Sequence, residues 1–213
     1  MEDKHPASQD VNTTMWFLKE KVLYTTVKPY CLAFTPETDV PRDNIERHEV
    51  PVGVLDIRGR REPLNFHHNG FAILNVPEVP TGMDWYDVQS VKGLRYPQIV
   101  SEIERVVWHP IKGPNQDWPL ALCDLSTVNS DKDLEIADYV TPKRSREHCM
   151  VYFRNHHRWW YMSRQRVTEA LLFRQHDSEQ GDKSGVPHAA FFNPYAELEM
   201  PRESMETTVL IYF

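Results

Sequence analysis

The sequence predicts a mainly β protein with a few helices. Sixteen prolines against eight glycines indicate many loops and short extended segments. Residues 52–59 and 70–76 form apolar runs that end at turn residues, as strands do. The apolar fraction of 40% is enough for a packed core at a length of 213 residues. We expect one domain over residues 1–213 with a loose N-terminal tail, about residues 1–14.

The remaining elements follow from local patterns along the chain. A β-rich run (14–34) is interrupted by Pro29 and leads to a charged connector (36–50). A helix is expected from Asp87 to Val107, although Pro97 limits its first part. The later strands are expected at residues 118–124, 149–153, 159–162, 168–173 and 207–213, with 149–153 paired to 159–162 across a polar turn.

Composition excludes several classes of function. The net charge is −7 and no long basic run is present, so nucleic-acid binding has little electrostatic support. No apolar stretch is long enough to cross a bilayer, and the first residues lack the apolar core of a signal peptide. The three cysteines are widely spaced, which favours free thiols in a reducing compartment. We therefore expect a cytoplasmic protein.

Several blocks of the sequence resemble one family. The longest is Trp108-His109-Pro110-Ile111, followed by Gly113-Pro114 and the continuous run 117–124. The others are Val54-x-Asp56-Ile57-Arg58-Gly59, Asn69-Gly70-Phe71, His157 to Ser163, Asp177-Ser178, His188-x-Ala190-Phe191 and Pro201-Arg202-Glu203-Ser204-Met205-Glu206. Together they resemble the AsaB-type fungal hydroxylases and desaturases, which include gibberellin desaturase-like and cephem methoxylase-like proteins. The resemblance covers nearly the whole chain from about Thr25.

The resemblance implies a fold and a chemistry. It implies a double-stranded β-helix (jelly-roll) core and an oxidoreductase that acts on a small molecule in a secondary-metabolite pathway. The cofactors it implies are iron(II) and 2-oxoglutarate if the chain is active, or none if it is not. By its place in the family blocks, His188 is the candidate metal ligand. Arg202, with Ser204, is the candidate site for the cosubstrate carboxylate, because a guanidinium forms a bidentate fork to a carboxylate.

The chain departs from the family pattern at one place. Such an iron site also needs an earlier His-x-Asp or His-x-Glu pair, and we find none before His188. The family places that pair between the Tyr96-Pro97 segment and the Trp108 block, where this chain is shortened between Val100 and Trp108. The double-stranded β-helix core is therefore expected to be incomplete, and a homodimer could cover the gap.

Other residues could replace the missing ligands. The adjacent His67 and His68 would point to opposite faces of a strand, so only one could be a ligand. The same limit is expected for His156 and His157, which are predicted to lie in a turn. The candidates are His67-His68, His156-His157, His109, Asp124 and Asp177, with structural roles as the alternative for each. The aromatic residues Trp108, Trp118, Trp159, Trp160 and Tyr161 could line a pocket but more often fill a core. Cys149 beside His148 is a weak thiol–base pattern.

Two interpretations stay open. The chain is either a hydroxylase or desaturase of this family, or a shortened relative without redox activity. The second would be a metal-free pocket enzyme, a binding or scaffold protein, or an inactive relic. The missing His-x-Asp pair is the feature that separates them.

Overall fold

The computed structural model describes residues 8–60, 64–78, 84, 86–95 and 106–208. The described strands are β1 (Val11–Leu18), β2 (Tyr30–Leu32), β3 (Arg47–Asp56), β4 (Phe71–Asn75), β5 (Val106–Pro110), β6 (Leu120–Cys123), β7 (Leu134–Thr141), β8 (Arg144–Val151), β9 (Trp159–Tyr161), β10 (Glu169–Phe173), β11 (His188–Ala190) and β12 (Ser204–Thr207). The short helices are α1 (Phe66–Asn69), α2 (Val88–Ser90) and α3 (Ser130–Asp133), with a π-helical turn at Val91–Arg95 and single 3-10 turns elsewhere.

Two sheets form the core. One has five strands in the order β1-β3-β9-β6-β11, and the other has four in the order β12-β5-β10-β4. Leu122 and Trp160 of the first sheet pack with Phe71, Trp108 and Phe173 of the second in one buried apolar cluster. The mainly β expectation is confirmed, and two curled sheets facing one core are the arrangement of a jelly roll.

The central strands of the five-stranded sheet are buried on both faces. On β6, Leu122 belongs to the cluster between the sheets, whereas Ala121 and Cys123 belong to a second cluster. Strand β9 divides in the same way, with Trp160 on one side and Trp159 on the other. This is the side-chain alternation of a strand covered on both faces, so the aromatic residues of β9 fill the core.

The first strand starts earlier than the sequence predicts. Val11, Met15 and Phe17 alternate into the core, and Val11 lies opposite Val54 in the antiparallel pairing of β1 with β3. Strand β1 therefore begins inside the segment expected to be a loose tail, whose residues 1–7 lie outside the described residues.

A third sheet shows that one predicted pairing is wrong. Strand β8 pairs with β7, with Val151 opposite Leu134, in a sheet of order β2-β7-β8. Strand β9 pairs instead with β3 in parallel and with β6 in antiparallel orientation. The polar turn that the sequence indicates does exist at Asn155-His156. It carries the chain from one sheet to another instead of closing a hairpin.

The predicted helix at residues 87–107 is wrong at its C-terminal end. Asp87 caps α2 by accepting hydrogen bonds from the amides of Gln89 and Ser90, but Val107 lies in β5, which pairs with β10. Residues 96–105, which include most of the predicted shortening, lie outside the described residues, as do residues 209–213 of the expected C-terminal strand. Among the described residues, no helix has the length and apolarity needed to cross a bilayer.

Candidate functional site

The imidazole of His188 is oriented by the backbone beside it. His188 begins β11, opposite Leu122 of β6, and its Nδ1 lies 2.9 Å from the carbonyl oxygen of Val186. A carbonyl oxygen only accepts hydrogen bonds, so Nδ1 carries the proton and Nε2 keeps its lone pair. Metal-binding histidines commonly show this arrangement, because the bond fixes both the tautomer and the ring direction.

His188 borders a cavity of about 260 Å³ that lies against β1 and β8. Its ring points to the other face of the sheet, where it packs on Phe173 with the ring centres 4.7 Å apart. Arg47, His148 and Cys149 also line the cavity. Burial lowers the pKa of His148, and the charge of Arg47 lowers it further. Burial raises the pKa of Cys149, whose thiol lies 3.5 Å from the Asp182 carbonyl oxygen. A protonated thiol is a poor nucleophile, so the geometry gives no support to a thiol–base pair at Cys149.

Around His188 the described residues offer a single metal ligand. Within the described ranges, one group of three His, Cys, Asp or Glu side chains has donor atoms close enough to share an ion, and it does not contain His188. Iron(II) in such enzymes is held by two histidines and one carboxylate. The described residues at His188 therefore do not by themselves fit an iron ion.

Arg202 lies where a carboxylate could reach it. Its Nη1 donates to the Trp118 carbonyl oxygen at 2.6 Å, and its guanidinium lies 5.8 Å from the ring centre of Trp108. The alternative of an ion pair with Glu203 or Glu206 is not observed, because Glu203 pairs with Lys112 and Glu206 accepts from Gln175. Within the described part of the chain, no carboxylate forms an ion pair with Arg202. Ser204 opens β12, opposite Pro110.

Two of the expected substitute ligands lie in different surroundings from those predicted. His67 and His68 were expected on a strand, but they lie in helix α1, whose N-terminus is capped by the Asn65 side chain. Both are exposed. His109 is fully buried on β5, with Nδ1 3.0 Å from the carbonyl oxygen of Pro110. The structure does not bring these residues together with His188 in a ligand group.

The two aspartates take structural roles. Asp124 is buried and accepts hydrogen bonds from the Asn69 amide and from Ser126, while Arg158 forms an ion pair with its second oxygen at 3.0 Å. Asp177 accepts from the Glu179 amide in the loop before β11 and pairs with Arg174 at 3.4 Å. Both carboxylates are used in holding local backbone and side chains in place.

The aromatic residues divide between core and surface. Trp108, Trp159, Trp160 and Tyr161 are at most 5% exposed and pack in the two core clusters, so the packing role is the one the structure has. Trp118 is 49% exposed and contacts Phe192 edge to face at 6.1 Å. It is the one member of that aromatic set whose ring is available to a ligand.

Sequence reasoning missed one cluster, in which Asp133 lies beside the adjacent histidines His156 and His157. Asp133 is buried, and its Oδ2 lies 3.2 Å from His157 Nε2 and 3.7 Å from His156 Nε2. Arg154 Nε donates to the other oxygen at 2.8 Å. Burial raises the pKa of Asp133, but the hydrogen bonds from the Asn129 amide, Arg154 and His157 outweigh it and hold the pKa below its ordinary range. No local signal in the sequence links Asp133 to a turn more than twenty residues later.

A comparison with protein families decides what kind of protein carries these residues. A family model described as an oxidoreductase/YMDC permease-like domain matches residues 15–107 and 105–212, almost the whole chain. The chain belongs to this family. The two matches of this oxidoreductase family meet at residues 105–107, beside the position where the sequence is shorter than the AsaB-type pattern.

Individual relatives confirm the resemblance to the AsaB-type proteins. Aspirochlorine biosynthesis protein N of Aspergillus oryzae is 29% identical over 233 residues, which cover 98% of this chain and 95% of that protein. Hydroxylase/desaturase asaB of Aspergillus flavus is 26% identical over 187 residues, covering 76% of this chain and 80% of the relative. The first alignment is longer than the 213 residues of this chain, so that relative carries residues opposite which this chain has none.

The fold comparison agrees with the sequence comparison. The structure of an iron and alpha-ketoglutarate-dependent endoperoxidase, NvfI, superposes with a TM-score of 0.78 at 19% identity. The match covers 92% of this chain and 96% of the NvfI chain. At this identity the likeness establishes a shared fold.

Proposed function

We propose that the protein is a hydroxylase/desaturase-like oxidoreductase that acts on a small molecule in a secondary-metabolite pathway. The proposal rests on membership of the oxidoreductase family and on relatives whose names state hydroxylase or desaturase activity. Iron(II) and 2-oxoglutarate are the cofactors we propose, with His188 as a metal ligand and Arg202 and Ser204 at the cosubstrate carboxylate. The endoperoxidase NvfI is named for its dependence on the same two cofactors.

The observation that carries the proposal is the unpaired guanidinium of Arg202. Its contact with the Trp118 carbonyl oxygen and its position over Trp108 fix the side chain, and no described carboxylate neutralises it. A cation held in this way is preorganised for an anionic ligand, because little side-chain entropy is lost when the ligand binds. A dicarboxylate such as 2-oxoglutarate matches this requirement.

Binding of iron at His188 would require further ligands from outside the described residues. His188 supplies a lone pair on Nε2, and the bond from Nδ1 to Val186 holds the ring. Iron bound there would supply oxygen activation, while this chain would orient the cosubstrate through Arg202. We place the reaction on the face of the sheet to which the His188 ring points, beside Phe173.

An anaerobic titration of the purified protein with iron(II) and 2-oxoglutarate tests the proposal. We expect a stoichiometric visible charge-transfer band that His188→Ala abolishes, with circular dichroism confirming that the variant is folded. His68→Ala is the matched control, since His68 is exposed on α1 and outside the site. The absence of a band in folded protein would contradict the iron-dependent activity.

The lone ligand at His188 favours a second candidate function. A shortened relative without redox activity would use Arg202 to bind a small carboxylate in the absence of metal. Calorimetry with 2-oxoglutarate in the presence of a chelator distinguishes the two candidates. Metal-independent binding that is lost in Arg202→Gln, but kept in the control Arg144→Gln, would support the second candidate.

Three further properties belong to the same proposal. We propose one domain over the chain, a cytoplasmic location and no nucleic-acid partner, the last because the net charge is −7. We also propose a homodimer, since β1 and β11 are edge strands of the five-stranded sheet. Light scattering after gel filtration measures the mass, and a monomer at micromolar concentration would contradict the dimer.

A further inference from the structure

The turn after β8 directs two adjacent histidine rings toward one carboxylate. His156 and His157 have ring centres 5.1 Å apart at an interplanar angle of 73°. In a strand their side chains would diverge to opposite faces, but here both lie in a turn that the His157 amide closes on the Arg154 carbonyl oxygen at 3.1 Å. Their Nε2 atoms consequently lie 3.7 and 3.2 Å from the same oxygen, Oδ2 of Asp133.

These distances match the spacing of ligands around a metal ion. Tetrahedral coordination with bonds of about 2.0–2.1 Å places neighbouring ligand atoms roughly 3.3–3.4 Å apart. The two distances measured from Asp133 lie on either side of that value, and the three donor atoms all lie within 4.8 Å of one another.

The carboxylate is held in place from behind. Asp133 is the last residue of α3, and its Oδ1 accepts from Arg154 Nε at 2.8 Å. The Asn129 amide donates to Oδ2 at 2.8 Å, which fixes the rotation of the carboxylate. Oriented carboxylates of this kind are usual beside metal ions, where hydrogen bonds to the ligands tune affinity.

The group is closed on the protein side and open on the solvent side. The side chain of His157 is fully buried and that of Asp133 is 3% exposed, whereas that of His156 is 62% exposed. An ion could therefore enter past His156 and complete its coordination with water.

We propose that Asp133, His156 and His157 form a binding site for a divalent transition-metal ion of the zinc type, separate from His188. Two imidazoles and one carboxylate are suited to zinc and cobalt rather than to calcium or magnesium, which prefer oxygen ligands alone. The ion would join the turn at Asn155-His156 to the end of α3, and so stabilise the passage of the chain between two sheets.

Two features set a moderate affinity. The guanidinium of Arg154 lies beside the carboxylate and repels a cation. Coordination through Nε2 also moves the ring proton of His157 to Nδ1, which is buried and has no hydrogen-bond partner among the described residues. We therefore expect a dissociation constant in the micromolar range rather than the nanomolar range of closed zinc sites.

Calorimetric titration of the tag-free full chain with Zn²⁺, together with the visible absorption of bound Co²⁺, tests the site. We expect one ion per chain and at least tenfold weaker binding in His156→Ala. That variant leaves the core intact, because the side chain is 62% exposed. His68→Ala is the matched control for loss of an exposed histidine, and Cys149→Ser controls for binding at the exposed thiol.

The outcome in His188→Ala separates this proposal from the proposed oxygenase function. Binding that is weakened by His156→Ala and unchanged in His188→Ala supports the site, whatever the result of the iron titration. No binding of Zn²⁺ or Co²⁺, or binding that His156→Ala leaves unchanged, overturns it. Binding that depends on His188 also overturns it and assigns the ion to the oxygenase site.

Discussion

Arg58 and Glu169 join the two sheets of the core through a bidentate ion pair. Arg58 follows β3 of the five-stranded sheet, and Glu169 begins β10 of the four-stranded sheet. Arg58 Nη1 lies 2.9 Å from Glu169 Oε1, and Nη2 contacts the other carboxylate oxygen. The side chains are only 14% and 15% exposed, so the pair acts at the rim of the core rather than on the surface.

Glu169→Gln should destabilise the protein. Its carboxylate also accepts from the Arg166 amide at 2.8 Å, and the neutral amide leaves the Arg58 cation without its counter-charge. We expect a loss of about 1 to 3 kcal/mol in the free energy of unfolding at pH 7, reduced from a fully buried pair by the residual exposure. Urea denaturation measures it, and an unchanged midpoint would show that the pair contributes nothing.

The ion pair of Arg58 and Glu169 also makes the stability of the protein depend on pH in a known direction. Burial raises the pKa of Glu169, but the hydrogen bonds from Arg58 and Arg166 outweigh it, so the net pKa is lowered from its ordinary value of 4.5. The stabilisation is therefore complete above about pH 4.5 and is lost as the pH falls through the lowered pKa. Glu169→Gln should flatten the stability profile between pH 5 and 3. The control Glu46→Gln, at an exposed carboxylate, should alter it less.

Substitution of Asp56 should lower the stability of the fold more than most substitutions outside the candidate site. It is fully buried and accepts from the Gln9 amide at 2.9 Å, from Ser163 Oγ at 2.6 Å and from the Ser163 amide at 3.1 Å. In Asp56→Asn the amide nitrogen cannot accept, which leaves buried donors without partners. We expect a loss of about 2 to 4 kcal/mol by denaturation. The exposed control Asp131→Asn should stay close to wild type, and equal losses in both would refute the argument.

Gly70 and Gly181 offer a matched test of backbone strain against packing. Both have positive φ angles, 82° and 83°. A Cβ atom at Gly70 would lie 2.5 Å from Leu125 and 2.6 Å from Val186, whereas one at Gly181 would meet nothing within 4 Å. Gly181→Ala should cost about 1 kcal/mol from the left-handed conformation alone. Gly70→Ala should cost about 1 to 3 kcal/mol more from overpacking, and equal melting temperatures would disprove it.

The three thiols should react at different rates. Cys149 is exposed, Cys31 is half-buried and Cys123 is fully buried on β6. Burial raises the pKa of Cys123 far above its ordinary value, so this thiol is both inaccessible and protonated. A disulfide reagent should titrate Cys149 first and Cys123 only in denaturant, and Cys149→Ser should remove the first phase. Rapid reaction of all three thiols in folded protein would contradict the burial of Cys123.

Local patterns predict strands better than they predict strand partners. The strands at residues 52–59 and 70–76 correspond to the end of β3 and to β4, because an apolar run ending at a turn is a local property. The partner of Trp159 on β3 is Val54, more than one hundred residues away, and no spacing in the sequence records it. The expected pairing of residues 149–153 with 159–162 failed for this reason.

The candidate site was likewise predicted only in part from the sequence. The family blocks place His188 and Arg202 in recognisable contexts, and the structure gives each an oriented side chain. The convergence of His156 and His157 on Asp133 was missed, because the expectation that neighbouring side chains diverge holds for strands and fails in a turn. A third residue from α3 completes the group, and only the tertiary fold brings it there.

The order of strands in the five-stranded sheet constrains how the chain can fold during synthesis. β1 pairs with β3 soon after both emerge from the ribosome, but the next strand in the sheet, β9, begins at Trp159, and the far edge begins at His188. Until then the apolar face of the paired strands β1 and β3 has no cover. Pairing over such sequence distances is slow, so a nascent chain stalled before β9 would depend on chaperones to escape aggregation.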